Sequence, residues 1–63
     1  MCEFTVLLDR EPVYKDAVYA KVEGPNIQIK DVLGVSKIFK NCRITEVDVS
    51  SERLVLAPVR RSR

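Results

Sequence analysis

Closely spaced turn signals are the feature that most limits the folds open to this chain. Glycine, proline, asparagine and acidic residues recur between short segments rich in Val, Ile, Leu and Phe. The strongest signal is Gly24-Pro25-Asn26, which joins three turn formers in a row. Apolar segments this short, separated by turns, are typical of strands rather than helices. The sequence therefore predicts an all-β domain of six short strands.

The strand boundaries follow from alternation and from the turns. Phe4, Val6 and Leu8 alternate with their neighbours as in a half-buried strand. Pro12 has no amide to donate, so the first break is predicted at residues 9–12. A helix over residues 12–22 is the competing interpretation, disfavoured because the segment is short and has no good N-cap. The predicted strands are residues 2–8, 17–23, 27–30, 35–39, 42–49 and 54–57.

One strand carries a break in its alternation. The apolar phase slips between Ile44 and Val47, and one extra residue near Thr45-Glu46 would explain the slip as a β-bulge. Six short strands with short turns predict a small, strongly bent antiparallel sheet or barrel, SH3-like or OB-like. We expect one domain over residues 1–58, followed by a basic, disordered tail over residues 59–63.

The size of the chain favours self-association. It has 63 residues, and a domain this small buries only about 60% of the surface of its unfolded chain. A second copy would enlarge the core and cover an open sheet edge. We therefore expect a homodimer.

The charge distribution argues against a uniformly basic body. The net charge is +2, but Arg60, Arg61 and Arg63 supply three of the eleven cations, which leaves eight cations against nine anions in residues 1–59. Nucleic-acid binding depends on a contiguous Lys/Arg footprint. The best candidate is the turn that carries Lys37, Lys40 and Arg43, together with the tail.

Several kinds of catalytic site are missing from the sequence. There is no His, no CxxC pair and no glycine-rich phosphate loop. Imidazole bases, His-activated nucleophiles and closed zinc sites from a single chain are therefore excluded. We predict that the chain is not an enzyme. It also shows no charged leader with an apolar run and no apolar stretch of spanning length, so we expect a cytoplasmic protein with reduced thiols.

The two cysteines differ in position. Cys42 is in phase with Ile44, which predicts a core residue. Cys2 would become the N-terminal residue on removal of Met1, with a thiolate beside an α-amine whose pKa is about 8. Sulfur and nitrogen donors suit Ni(II) or Cu(II), and two such termini in a symmetric dimer could complete a four-coordinate plane. The alternative is that Cys2 is only the first apolar residue of a strand.

Several short motifs occur in a recognisable order along nearly the whole chain, up to about Ala57. They are Met1-Cys2-Glu3-Phe4-Thr5-Val6, Val22-Glu23-Gly24, Ile27-Gln28-Ile29, Asp31-Val32-Leu33-Gly34, Arg43-Ile44-Thr45-Glu46-Val47-Asp48 and Leu54-Val55-Leu56. This order resembles the CooT family, small nickel-binding accessory proteins of carbon monoxide dehydrogenase. Hydrogenase-maturation chaperones of the HypC type also begin Met-Cys, but this chain lacks their proline-glycine element.

The resemblance implies a homodimer that binds nickel through Cys2, with the backbone of Glu3 as a co-ligand. Such a protein would store Ni(II) or deliver it to a nickel enzyme such as carbon monoxide dehydrogenase, with a nickel-enzyme assembly protein as a possible partner. Many relatives are described instead as predicted RNA-binding proteins. The alternative function is therefore RNA binding, by the turn over residues 37–43 and by Arg60, Arg61 and Arg63.

Overall fold

The computed structural model describes residues 3–59, which form six strands and, within that range, no helix. The strands are β1 (Phe4–Leu8), β2 (Glu11–Glu23), β3 (Asn26–Asp31), β4 (Ser36–Phe39), β5 (Cys42–Asp48) and β6 (Arg53–Pro58). They join one sheet in the order β4-β3-β2-β1-β6-β5. The predicted all-β class and the number of strands are confirmed. Of the predicted basic tail, only Val59 lies within the described residues.

The sheet is mixed rather than purely antiparallel. β1 and β6 run parallel, with Thr5 opposite Arg53 and Leu8 opposite Leu56, while the other neighbouring strands are antiparallel. The sequence predicted antiparallel pairing because it showed only hairpin turns between consecutive strands. Pairing between the first and last strands is set by packing of the whole chain, and no local turn signal reports it.

β2 is much longer than the sequence predicted. It begins at Glu11, not Ala17, and a two-residue turn at Asp9 and Arg10 places Glu11 opposite Leu8. Pro12 lies inside the strand, opposite Leu7. Proline is tolerated there because, among residues 3–59, this first half of β2 pairs only with β1, so no second neighbour needs its amide. The predicted break at Pro12 is therefore wrong.

A bend divides β2 into two halves that pair with different strands. The first half pairs with β1, up to Ala17 opposite Phe4, and the second half pairs with β3. Asp16 adopts a positive φ of 57°, and the register with β3 shifts between Ala17 and Tyr19. An extra residue of this kind bends and twists a strand. The single sheet can therefore fold over itself around one core.

Every strand contributes to that core. The buried apolar residues are Val6, Ala17, Ile27, Ile29, Phe39, Cys42, Leu54 and Leu56, and the half-buried Phe4, Leu8, Tyr14 and Ile44 pack against them. The predicted core position of Cys42 is confirmed. The predicted bulge is also confirmed, because the register between β5 and β6 shifts between Ile44 and Glu46.

Turn contacts bring the two ends of the bent sheet together. The Cys42 amide donates to the Pro25 carbonyl over 3.0 Å, and the Asn41 amide donates to Oδ1 of Asn26 over 3.3 Å. The turn between β4 and β5 thus rests on the turn between β2 and β3. In residues 3–59 there is no helix long and apolar enough to cross a membrane.

Candidate metal-binding end of the sheet

The start of β1 is held against the turn that follows β5. The Thr5 amide donates to the Glu52 carbonyl over 2.9 Å, so the backbone next to Glu3 has a fixed neighbour. Glu3 itself is exposed and lies immediately before β1. The candidate ligand Cys2 lies outside the described residues. Glu3, the residue that follows Cys2 in the sequence, is the described residue nearest to it along the chain.

The turn over residues 48–53 is stabilised by one carboxylate. Oδ1 of Asp48 accepts the Ser51 amide over 3.2 Å, and Nη2 of Arg53 lies 3.6 Å from Oδ2. The backbone hydrogen bond from Ser51, together with the nearby Arg53 guanidinium, lowers the pKa of Asp48 below its usual value. The carboxylate is therefore ionised at neutral pH. It stabilises the turn in which the Glu52 carbonyl accepts the hydrogen bond from the Thr5 amide.

An apolar groove opens beside the start of β1. β1 begins at Phe4, opposite Ala17, and the antiparallel β2 continues beyond that point to Glu23. The groove in this gap has a volume of about 220 Å³, with Phe4, Ile44 and Leu54 among its lining residues. Val18, Tyr19 and Val47 also line it and are 43%, 44% and 56% exposed. A largely apolar surface therefore lies next to the residue that follows Cys2.

Cys42 is placed for packing and not for metal binding. It is buried in the core, and its thiol donates a hydrogen bond to the Lys40 carbonyl over 3.3 Å. A metal ligand must be a thiolate that the ion can reach, whereas this sulfur is buried and hydrogen-bonded within the fold. Across residues 3–59 no three His, Cys, Asp or Glu side chains gather where they could hold a metal ion.

The family of this chain follows from a match over most of its length. Residues 1–57 match the family described as CO dehydrogenase accessory protein CooT. This chain belongs to the CooT family. Among curated proteins, none matches the chain significantly. Membership in the CooT family implies an accessory role connected with CO dehydrogenase, and an accessory protein rather than a catalyst.

The CooT family match covers the candidate metal-binding end and leaves out the predicted basic tail. It ends at residue 57, so Arg60, Arg61 and Arg63 lie beyond it and outside the described residues. Nζ of Lys37 lies 5.5 Å from the centre of the Phe39 ring, on the core side of β4. Arg43 follows the buried Cys42 and points to the opposite face of β5. Lys37 and Arg43 therefore do not share one face, and Lys40 is exposed in the turn between them. Binding of RNA by these residues stays a prediction.

Two apolar surfaces were missed by sequence reasoning. One is the groove, and the other is the tip of the hairpin between β3 and β4, where Leu33 is 83% exposed. The groove depends on how far β2 runs past β1, which the sequence did not predict. The tip could have been noticed, because two apolar residues stand in the middle of the motif Asp31-Val32-Leu33-Gly34.

Proposed function

We propose that this protein is a nickel-binding accessory protein in which the Cys2 residues of a homodimer hold one Ni(II). The metal would be cargo, stored or delivered to a nickel enzyme such as CO dehydrogenase. Membership in the CooT family supports the accessory role. The observation that carries the assignment to Cys2 is the burial and hydrogen bonding of Cys42, the other thiol of the chain.

The donors at the N-terminus fit this metal. With Met1 removed, Cys2 offers a thiolate and an α-amine, and the exposed residue Glu3 offers a backbone amide nitrogen. Sulfur and nitrogen donors suit Ni(II) and Cu(II) far better than Mg²⁺ or Ca²⁺. One terminus has too few donors for a closed coordination plane, and a second copy supplies the rest.

The position of the groove supports a shared site. Consecutive Cα atoms lie about 3.8 Å apart and metal–sulfur bonds measure about 2.3 Å, so two Glu3 residues on either side of one metal would lie within roughly 18 Å. Two copies this close must touch at this end of the sheet. The surface available there is apolar, with Phe4 in the groove and Val18 and Val47 exposed around it. Burying such a surface favours association.

Nickel titration of the reduced, Met-processed protein tests the proposal. Thiolate-to-nickel absorption bands should saturate at one nickel per two chains, with mass spectrometry confirming Cys2 as the first residue. Cys2→Ser should abolish these bands, while the matched variant Cys42→Ser should leave both the bands and the stoichiometry unchanged. Full nickel binding by Cys2→Ser would refute the assignment of the ligand, and saturation at one nickel per chain would refute the shared site.

A further inference from the structure

The hairpin between β3 and β4 ends in a group of apolar side chains that the fold does not bury. We define the apolar tip as residues 32–35. Val32 and Val35 are exposed, and Leu33 is exposed more fully than any other large apolar side chain in residues 3–59. A few isolated apolar residues on a surface need no explanation, but contiguous ones mark interaction sites.

The backbone of the apolar tip is fixed at every amide. Oδ1 of Asp31 accepts the Leu33 amide over 2.9 Å and the Val35 amide over 3.0 Å. The Gly34 amide donates to the Asp31 carbonyl, and the Val32 amide donates to the Asp16 carbonyl, each over 3.0 Å. The four N–H groups of the tip therefore all have defined acceptors, and Leu33 is presented from a rigid loop.

A tyrosine from β2 also holds the tip in place. The Tyr14 hydroxyl donates to the Val35 carbonyl over 3.0 Å, and its ring packs edge-on against Phe39 at 6.3 Å between ring centres. Desolvation and the neighbouring Asp31 carboxylate raise the pKa of Tyr14 above its usual value. The hydroxyl therefore stays protonated and remains a donor well above neutral pH. A surface ordered before binding loses little conformational entropy when a partner arrives.

Two lysines flank the base of the tip, one on each face of the hairpin. Nζ of Lys30 lies 4.8 Å from the centre of the Tyr19 ring, and Nζ of Lys37 lies 5.5 Å from that of Phe39. The side chains of Lys30 and Lys37 lie on opposite faces of the hairpin. Lys30 is paired with Ser36 and Lys37 with Ile29, and successive residues of a strand point to opposite faces. The aromatic rings orient both ammonium groups. The tip is thus an apolar projection between two positioned cations.

From this arrangement we infer that the apolar tip docks the protein that receives the metal, inserting Leu33 into an apolar pocket rimmed by carboxylates. This inference rests on the proposed function, because it assigns a surface to the recipient of the cargo. An apolar centre with complementary charges at its rim is the usual arrangement of a specific protein interface. The tip is separate from the groove and shares none of its lining residues, so docking can proceed while the metal is held elsewhere.

The test measures binding of this protein to nickel-free CO dehydrogenase. Leu33→Ser should weaken the affinity at least tenfold, and Leu33→Met should restore most of it. The matched control Val49→Ser removes another exposed apolar side chain, 63% exposed, from the turn after β5 and should change the affinity less than twofold. Lys30→Gln combined with Lys37→Gln should slow association and reduce its dependence on salt, because charges at an interface rim act mainly on the association rate.

Two readouts separate this inference from the proposed function. Nickel stoichiometry and sedimentation of Leu33→Ser should match the original protein. A failure of nickel binding by the unsubstituted chain would refute the proposed function, and with it the role of the docked protein as metal recipient, whereas unchanged docking by Leu33→Ser alongside normal nickel binding would refute this inference alone. The docking inference is overturned if Leu33→Ser binds CO dehydrogenase with unchanged affinity, or if Val49→Ser loses as much. It is equally overturned if Leu33→Ser sediments as a monomer, or if the tip directs the protein to phosphatidylglycerol vesicles and not to the enzyme.

Discussion

At the scale of single residues, hydrogen-bond partners separate structural groups from groups free for chemistry. The Cys42 thiol donates into the core and the Tyr14 hydroxyl donates to the hairpin tip, so both are used by the fold. Asp48 serves the fold as well, because its carboxylate accepts the Ser51 amide. Glu3 and Leu33, in contrast, are exposed. The residues best placed to meet a metal or a partner are those the fold does not use.

Asp48 should give the protein part of its acid sensitivity. Its pKa is lowered in the folded protein, so its stabilising effect is present above its unfolded pKa near 3.8 and is lost as the pH falls through the lower folded value. Asp48→Asn should lower the midpoint of urea unfolding at pH 7 and make little difference at pH 2. The matched control Glu46→Gln changes an exposed carboxylate of the same strand. An equal effect of Asp48→Asn at both pH values would contradict this account.

At the scale of elements, the turns carry backbone strain that substitution can relieve. Asp9 and Arg10 form the two-residue turn between β1 and β2 and both have positive φ, at 55° and 73°. This is the pattern of a type I′ turn, which favours Asn-Gly. Asp9→Asn with Arg10→Gly should stabilise the protein by about 0.5–1 kcal/mol, since a left-handed conformation costs a non-glycine residue about 1–2 kcal/mol and added chain entropy offsets part of the gain.

The opposite substitution at another turn is the matched control. Gly24 has φ of 59°, and an added Cβ would meet no atom within 4 Å, so Gly24→Ala tests the backbone conformation alone. It should destabilise the protein by about 1 kcal/mol. Thermal unfolding resolves both changes, because 1 kcal/mol shifts the midpoint by about 4–8 °C in a domain of this size. A lowered midpoint for the Asn-Gly variant would show that the Asp9-Arg10 turn is not strained.

The elements also show which features the sequence could predict. Local signals were sufficient for the number of strands, for the core position of Cys42 and for the bulge between Ile44 and Glu46, because alternation and turn chemistry are written in neighbouring residues. The extent of β2 and the parallel pairing of β1 with β6 depend on which strands lie on each side. Pro12 reads as a strand breaker until the structure shows that this part of β2 has no second partner within residues 3–59.

The candidate site also has features that the sequence could predict and features that it could not. The sequence singled out Cys2 by its position after Met1, by the scarcity of other soft ligands and by the resemblance to the CooT family, and its role as a ligand stays a prediction. It could not reveal the groove beside Phe4, which exists only because β2 outruns β1 and leaves Val18 and Val47 at the edge of an uncovered gap. The length of β2 relative to β1 is decided by tertiary packing and has no signal in either strand alone.

At the scale of the whole molecule, the proposed dimerisation through the groove beside β1 should be separable from folding. Val47 is more than half exposed at the groove, so Val47→Glu should leave the domain folded. Association would bury the new carboxylate, at a cost of about 3 kcal/mol, which weakens a dimer about 100-fold. Sedimentation of the metal-free protein should therefore change from dimer to monomer. Ile38→Glu alters an equally exposed residue of β4 and should leave the dimer intact.

The Val47→Glu monomer should also bind nickel more weakly, although Cys2 is present, because in the proposed site one chain has too few donors to close the coordination plane. A Val47→Glu dimer with full nickel binding would show that the copies meet on another face.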